Sequence, residues 1–129
     1  MTVYQRRKLN GLLHELIVLR DGEKCLYCGR TDTLQVSHIY PKGIYRGLEF
    51  DPLNLKLLCY RHHFHWWHKH PLEAKPWLEK VIDKKRLAYL KKKSLQIIKN
   101  QSYEKIKTEL EREIKTEIHA IKSLSGSKG

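Results

Sequence analysis

The first twenty residues carry apolar side chains at the spacing of an amphipathic α-helix. Thr2, followed three residues later by Gln5, is typical of a capping box, in which each side chain accepts the other residue's backbone N–H. Asp21 and Gly22 predict the end of this helix. We therefore expect a helix over residues 2–20. Its apolar face consists of Leu9, Leu12, Leu13, Leu16 and Leu19 or Arg20.

Two short segments further along the chain, Leu34–Ile39 and Asn54–Leu58, are suited to β-strands. The span between them, Tyr40–Pro52, contains two glycines and two prolines and is predicted to be a loop. A helical segment from Arg61 to Lys69 is expected next, because a Cys-x-x-His pair commonly lies where a strand meets a helix. The pattern indicates a small α+β core.

The segment from Pro71 to about Lys99 predicts another helix. Pro76 is unfavourable inside a helix because it lacks a backbone N–H, so the helix either begins there or is kinked. We expect its inward face to be formed by Trp77, Leu78, Val81 and Ile82.

Ser102 is a candidate N-cap for a last helix. Apolar residues then recur along one face, and this stripe is expected to pack either on the core or against a second copy of the chain. The small, polar end of the chain, residues 123–129, is predicted to be disordered. The stripe consists of Ile106, Leu110, Ile114, Ile118 and Ile121.

Charge is distributed unevenly along the 129 residues, whose formal net charge is +12. Such an excess indicates a polyanionic partner, either nucleic acid or an acidic membrane surface. Lys75–Lys99 contains nine basic and two acidic residues, a local charge of +7, whereas Tyr103–Lys122 contains five of each. One face of the protein is therefore expected to contact the polyanion.

No stretch approaches the ~20 apolar residues that a membrane-spanning helix needs. The N-terminal segment has basic residues ahead of apolar ones, as a signal peptide does. His14 and Glu15 interrupt its apolar run, however, and no small-residue cleavage site follows. We interpret this segment as the first helix of a cytoplasmic protein.

All three cysteines fall on one pattern, Cys25-x-x-Cys28 followed by Cys59-x-x-His62. Three cysteines cannot all pair within one chain, and a Cys-x-x-Cys pair in a reducing compartment favours metal over disulfide. Zn²⁺ prefers four nitrogen or sulfur ligands, and two-residue spacings place each pair on a tight turn. The sequence therefore predicts a structural zinc site. His63 is an alternative fourth ligand, although the spacing favours His62.

Three further polar residues lie inside this frame in the order His38, Asn54, His63. Phosphodiester hydrolysis needs a base to deprotonate water and a cation to stabilise developing charge. Histidine titrates near neutrality, so His38 at a strand end is a candidate base and His63 a candidate metal ligand. Asn54 is placed to hydrogen-bond across the loop and fix where His38 points. Singly each residue is more typical of a turn or a surface, but together they predict a nuclease site.

Residues 23–72 resemble the HNH endonuclease family, and more narrowly the bacteriophage enzymes similar to NinG/Rap-type recombination nucleases. The matching strings are CLYCG, LQVSHI, LEFDPLNLKLLC, RHH and HPLE. The resemblance implies a zinc-stapled ββα-metal fold, with His38 as general base, Asn54 orienting the loop and His63 binding the catalytic ion. It also implies cleavage to 5′-phosphate and 3′-hydroxyl ends, in DNA recombination or processing within the bacterial host cell.

One position departs from the family, where the residue before the base is often an Asp or His that binds the catalytic ion. That residue is Ser37, and a neutral hydroxyl is a poor metal ligand. Other candidates for the second ligand are Asp51, His65 and His68, with His68 favoured; Asp51 is as readily explained as a turn residue. Mg²⁺ or Mn²⁺ is the expected catalytic ion, and an imidazole ligand also suits Co²⁺ or Ni²⁺.

Basic residues beside the site are candidate DNA contacts. The loop between the strands supplies Lys42, Tyr45 and Arg46, and the later helical region supplies Lys84, Lys85, Arg86, Lys91, Lys92 and Lys93, unless the latter form only a solvated face. Phosphate contacts of this kind give salt-dependent affinity without sequence readout. Trp66, Trp67 and Trp77 are expected to pack in the core, with at least one of the adjacent pair buried.

The sequence thus predicts a metal-dependent DNA endonuclease that nicks one strand per site, so that cutting both strands of duplex or branched DNA needs two visits or a homodimer. The parts are an N-terminal helix (1–22), a nuclease core (23–70), a basic helical extension (71–122) and a tail (123–129). The alternative is a catalytically inactive, zinc-stabilised nucleic-acid-binding module. A weaker alternative is a protein that binds an anionic membrane surface.

Overall fold

In a computed structural model that describes residues 1–98 and 101–126, the chain begins with helix α1 (Val3–Asp21). The predicted capping box is confirmed, since Thr2 Oγ1 accepts from the N–H of Gln5 and Gln5 Oε1 accepts from the N–H of Thr2, both at 3.0 Å. The helix ends at Gly22, whose φ of 89° lies in the region that favours glycine.

Strands β1 (Leu34–His38) and β2 (Leu55–Cys59) pair antiparallel and form a two-stranded sheet. Both agree with the predicted strands to within a residue at each end, and the α+β class is confirmed. The connecting segment is a loop with two 3₁₀ turns, Arg46–Leu48 and Pro52–Asn54. The sheet is too small to stand alone and needs packing on both faces.

Helix α2 (Tyr60–His62) follows β2 directly and continues as a π-helical turn, His63–Trp67. The turn is closed by the N–H of His68 donating to the carbonyl of His63 at 3.3 Å, an i to i+5 bond. The predicted helix after the second strand is confirmed. Its π geometry was not predicted, and it changes which side chains share a face.

Two helices, not one, occupy the segment after the π turn: α3 (Pro71–Val81) and α4 (Lys84–Ser94). Asp83 separates them because its carboxylate caps α4, accepting from the N–H of Arg86 at 2.7 Å. Pro76 lies inside α3, which begins at Pro71. The predicted inward face was wrong for Val81, which is exposed; Leu78 and Ile82 are buried and Trp77 is half-buried. Residues 99 and 100 lie outside the described residues.

Helix α5 (Tyr103–Gly126) packs against α1, and the apolar residues of β2 complete this core. The predicted N-cap is confirmed, as Ser102 Oγ accepts from the N–H of Lys105 at 3.3 Å. Leu110 and Ile114 of the predicted stripe are buried, so the stripe is used inside the chain, although Ile121 is exposed. Helix α5 includes residues 123–126, which were predicted to be disordered, and 127–129 lie outside the described residues.

Candidate metal centre and catalytic site

The predicted zinc ligands Cys25, Cys28, Cys59 and His62 form one cluster, whose ligand atoms all lie within 4.8 Å of one another. The Sγ atoms of Cys28 and Cys59 are 3.9 Å apart, and His62 Nδ1 lies 3.1 Å from Cys59 Sγ and 3.9 Å from Cys25 Sγ. Tetrahedral bonds of about 2.3 Å to two sulfurs separate those sulfurs by about 3.8 Å. The cluster therefore fits a structural ion such as zinc, with His62 rather than His63 as its histidine.

The cluster joins two parts of the chain that the sequence places thirty residues apart. Cys25 and Cys28 lie on a turn closed by the N–H of Gly29 donating to the carbonyl of Cys25 at 2.9 Å, and Gly29 has a φ of 78°. This turn is fixed to β2 by the N–H of Leu26, which donates to the carbonyl of Leu57 at 2.9 Å. Cys59 ends β2, so a bound metal fixes where the following helix starts.

His63 follows the last zinc-type ligand but faces a different neighbour. Its Nε2 lies 3.4 Å from Nε2 of His68, because the π turn places residues five apart on one face. Its Nδ1 is buried without a hydrogen-bond partner among the described residues. Burial, and then the charges of His68, Lys56 and His38, lower the pKa of His63 to about 4. The ring is therefore neutral at physiological pH, as a metal ligand must be.

His38, the predicted base, ends β1, and its ring is held by the opposite side of the loop. Its Nε2 donates to the carbonyl of Glu49 at 2.9 Å, because a carbonyl can only accept. The neutral ring therefore keeps its lone pair on Nδ1. Arg6 of α1 forms an ion pair with the Glu49 side chain. Burial lowers the pKa of His38 below its ordinary value, the Glu49 carbonyl opposes this, and the charge of Lys42 adds to it.

Asn54 is fully buried and hydrogen-bonds across the loop as predicted. Its Oδ1 accepts from the N–H of Tyr40 at 2.8 Å, and its Nδ2 donates to the carbonyls of Tyr40 and Leu48, both at 3.0 Å. Its own carbonyl accepts from the N–H of Ile39 at 2.8 Å. These bonds fix the chain immediately after His38.

Ser37 does not face an open site. It is fully buried, and its Oγ lies 2.9 Å from Nζ of Lys56, its cross-strand partner in β2. Nζ also lies 3.4 Å from the ring centroid of Trp67, whose indole N–H donates to the carbonyl of His38 at 3.2 Å. Sequence reasoning missed Lys56. The available signal was a single charged residue inside the apolar strand LKLLC.

The other two candidates for the second ligand lie elsewhere. Asp51 caps the 3₁₀ turn by accepting from the N–H of Leu53 at 3.0 Å. This agrees with the alternative prediction that Asp51 is a turn residue. Its other oxygen accepts from Tyr89 at 2.7 Å and from Lys93 at 2.6 Å. His65 is exposed and packs its ring edge on Tyr60. Neither reaches His63 through any contact in the described part of the chain.

Two of the predicted DNA-binding residues are already bound within the chain. Arg86 donates to the carbonyls of Leu53 and Leu55, at 2.7 and 2.8 Å, and is half-buried. Lys93 is paired with Asp51. Tyr45 is half-buried and packs edge-on against Tyr40. The remaining predicted contacts are exposed: Lys42, Arg46, Lys84, Lys85, Lys91 and Lys92.

The tryptophans pack as predicted but are less enclosed, since Trp66, Trp67 and Trp77 are all half-buried. The expectation that one of the adjacent pair is buried was therefore wrong. The rings of Trp66 and Trp77 lie 5.2 Å apart, and both contact Tyr27 of the cysteine turn. These aromatic rings cover the metal cluster.

Comparison with models of protein families, with curated proteins and with solved structures found no match to this chain. None of the helices in residues 1–98 and 101–126 is both long and apolar enough to cross a membrane.

Proposed function

We propose that this protein is a metal-dependent DNA endonuclease of the HNH type, which nicks one strand at each site. The observation that carries the proposal is the position of His38 beside the π turn, where Trp67 donates its indole N–H to the His38 carbonyl at 3.2 Å. On the same turn the Nε2 atoms of His63 and His68 lie 3.4 Å apart, and the charge of His38 is among those that lower the pKa of His63. A candidate base beside a pair of imidazoles able to bind an ion suits hydrolysis of a phosphodiester.

In this proposal His38 Nδ1 accepts the proton of the attacking water. The Glu49 carbonyl holds Nε2–H and so fixes both the tautomer and the direction of the ring. Asn54 holds the loop on which Glu49 lies by accepting from Tyr40 and donating to Leu48. The lowered pKa of His38 keeps the base unprotonated at neutral pH.

His63 and His68 are the residues that would hold the catalytic ion. Their Nε2 atoms lie 3.4 Å apart, close enough for both nitrogens to bind one ion. A divalent ion bound there, such as Mg²⁺, Mn²⁺, Co²⁺ or Ni²⁺, would stabilise charge on the phosphoryl group and the leaving 3′-oxygen. Two imidazoles favour Mn²⁺, Co²⁺ or Ni²⁺ over Mg²⁺.

The exposed basic residues supply the affinity for DNA in this proposal. Lys42 and Arg46 lie on the loop that follows His38, and Lys84, Lys85, Lys91 and Lys92 lie on α4. Contacts from these residues to phosphates position the backbone without reading sequence.

A second candidate is a zinc-stabilised nucleic-acid-binding module without catalysis, and one observation favours it. The Ser37 hydroxyl, at the position of a family ligand, is engaged by Lys56. Among the described residues the Cys25-to-His62 cluster is the one set of three or more His, Cys, Asp or Glu ligands that meets as a metal site.

Plasmid nicking separates the two candidates. Supercoiled DNA is incubated with zinc-loaded protein and Mn²⁺, Co²⁺, Ni²⁺ or Mg²⁺, and conversion to open circles is measured for wild type and His38→Ala. The nuclease proposal expects nicking by wild type and at least about a hundredfold loss in the variant, with DNA binding and zinc content retained. Equal rates of nicking for wild type and His38→Ala would exclude His38 as the base. If wild type nicks no DNA with any of these ions, the result favours the nucleic-acid-binding module without catalysis.

A further inference from the structure

Lys56 is the most unusual side chain in the described part of the protein. It is fully buried in the middle of β2, and no carboxylate within residues 1–98 and 101–126 forms an ion pair with it. Its polar contacts are the Ser37 hydroxyl at 2.9 Å and the face of Trp67 at 3.4 Å. Lysine is almost never fully buried unless it is paired.

An apolar residue at this position would pack without that cost. The neighbours of Lys56 along the strand are Leu55, Leu57 and Leu58, all buried. Burial, with the charge of Arg86 adding to it, lowers the pKa of Lys56 well below its ordinary value. The amine therefore destabilises the fold compared with an apolar residue of the same length.

Both contacts of the Lys56 amine lead to His38. Ser37 is the residue directly before the base in β1. Trp67 donates its indole N–H to the His38 carbonyl. The Lys56 amine therefore links two groups that adjoin His38: the side chain of Ser37, which precedes it in β1, and the indole of Trp67, which binds its carbonyl.

We propose that Lys56 is a positioning residue for His38, acting through Ser37 and Trp67. Without the amine, the Ser37 hydroxyl loses its partner and the Trp67 ring loses the group that holds its face. The indole N–H then leaves the His38 carbonyl, and the backbone that carries the imidazole loses a restraint, while the Glu49 carbonyl still holds the ring itself. The consequence for cleavage rests on the proposed nuclease function, but the consequence for the position of Trp67 does not.

The test compares three variants of the zinc-loaded, full-length protein. Lys56→Met keeps the length of the side chain but removes the amine, and with it the hydrogen bond to Ser37 and the cation–π contact with Trp67. Trp67→Phe keeps the aromatic face but removes the indole donor. Lys115→Met is the matched control, because it removes a lysine from an exposed position on the neutral helix α5.

Four quantities are measured: kcat for nicking, Kd for DNA, the thermal midpoint, and hydrogen exchange of the Trp67 indole N–H by NMR. The proposal expects Lys56→Met to lower kcat at least about tenfold, since small displacements of a catalytic group have effects of this size. Kd stays within about twofold and the thermal midpoint does not fall. Indole exchange speeds up at least about tenfold, while that of the control is unchanged.

Trp67→Phe supplies the evidence that the effect passes through the indole. Its kcat falls in the same direction, and the double variant is no worse than the more impaired single variant, because both remove one restraint. Additive losses would overturn this route.

A purely structural role for Lys56 gives a different pattern. The thermal midpoint of Lys56→Met would fall, with kcat at permissive temperature and indole exchange unchanged, and that result would overturn the proposal. If the wild-type protein cuts no DNA, the nuclease function fails, and the indole measurement alone still decides whether Lys56 holds Trp67 on His38.

Discussion

His62 and His63 are neighbours in the chain but belong to two different clusters. His62 Nδ1 completes the set with three cysteines, whereas His63 faces His68, and the charge of His38 is among those that lower its pKa. Consecutive side chains on a helix point about 100° apart, so His62 and His63 can face two different clusters from the same helical turn. The first cluster could hold a structural ion such as zinc, and the second is the site at which the proposed nuclease would bind its catalytic ion.

The difference lies in how many ligands converge and from where. The cysteine cluster draws four ligands from the turn before β1, the end of β2 and α2. The imidazole cluster has two facing nitrogens on one π turn, and the exposed His68 leaves that side open. Closed tetrahedral sites are typical of structural zinc, and sites with open positions are typical of catalysis. The comparison therefore predicts loss of fold from damage to one cluster and loss of rate from damage to the other.

The largest effect is expected from breaking the cysteine cluster. Cys59→Ser removes a ligand at the junction of β2 and α2, and binding of structural zinc contributes about 10–16 kcal/mol in zinc-finger peptides. We expect loss of bound zinc and of the cooperative thermal transition, measured by elemental analysis and circular dichroism. A strong chelator should reproduce the loss in wild type. Unchanged melting after complete metal removal would refute the structural role.

The next effect separates the two adjacent histidines. His63→Ala should keep zinc and the thermal transition but lower nicking by at least about a hundredfold, because it would remove a ligand of the proposed catalytic ion. His62→Ala, its matched partner, should lose both zinc and fold. Zinc content, melting and nicking are measured on the same samples. If both variants behave alike, the two clusters are not functionally separate.

A smaller effect distinguishes basic residues that hold the protein together from those that face solvent. Arg86→Gln removes two charged hydrogen bonds to the carbonyls of Leu53 and Leu55. It should cost about 1.5–3 kcal/mol of unfolding free energy, measured by urea denaturation.

Lys85→Gln is the control for Arg86, since Lys85 is exposed on the same helix. It should leave stability within about 0.5 kcal/mol. If Lys85 contacts a phosphate, the slope of log K against log salt should become shallower by about 0.9. The opposite pattern, with Lys85 stabilising the fold, would contradict the contacts of α4.

The smallest effect is a shift in pH dependence. Burial lowers the pKa of His38, and the charge of Lys42 contributes in the same direction. The base therefore stays unprotonated below the ordinary histidine pKa of about 6.5, and the rate of nicking should fall only as pH drops through a lower value. Lys42→Gln should move this fall toward higher pH. A fall already complete at pH 6.5 would contradict the assignment, since it would require a pKa of His38 above its ordinary value.

Much of the fold follows from local signals. The capping box at Thr2 and the 3₁₀ turn capped by Asp51 set their own backbone geometry, because the capping side chains bond to residues two or three positions away. The break between α3 and α4 was missed because it depends on Asp83 acting as a cap within a basic, helix-favouring segment. The outward position of Val81 follows from the same break.

The spacing of cysteines and histidines determined the metal cluster by itself, because ligands two residues apart can meet around one ion in few ways. The order His38, Asn54, His63 predicted the candidate nuclease site. Three contacts were decided by the tertiary structure alone. The π turn brings His68 to His63, the Lys56 amine hydrogen-bonds to the hydroxyl of Ser37, and Arg86 donates to the carbonyl of Leu55 in β2. The partners in these contacts depend on how the helices pack against the sheet, which the periodicity of the sequence does not predict.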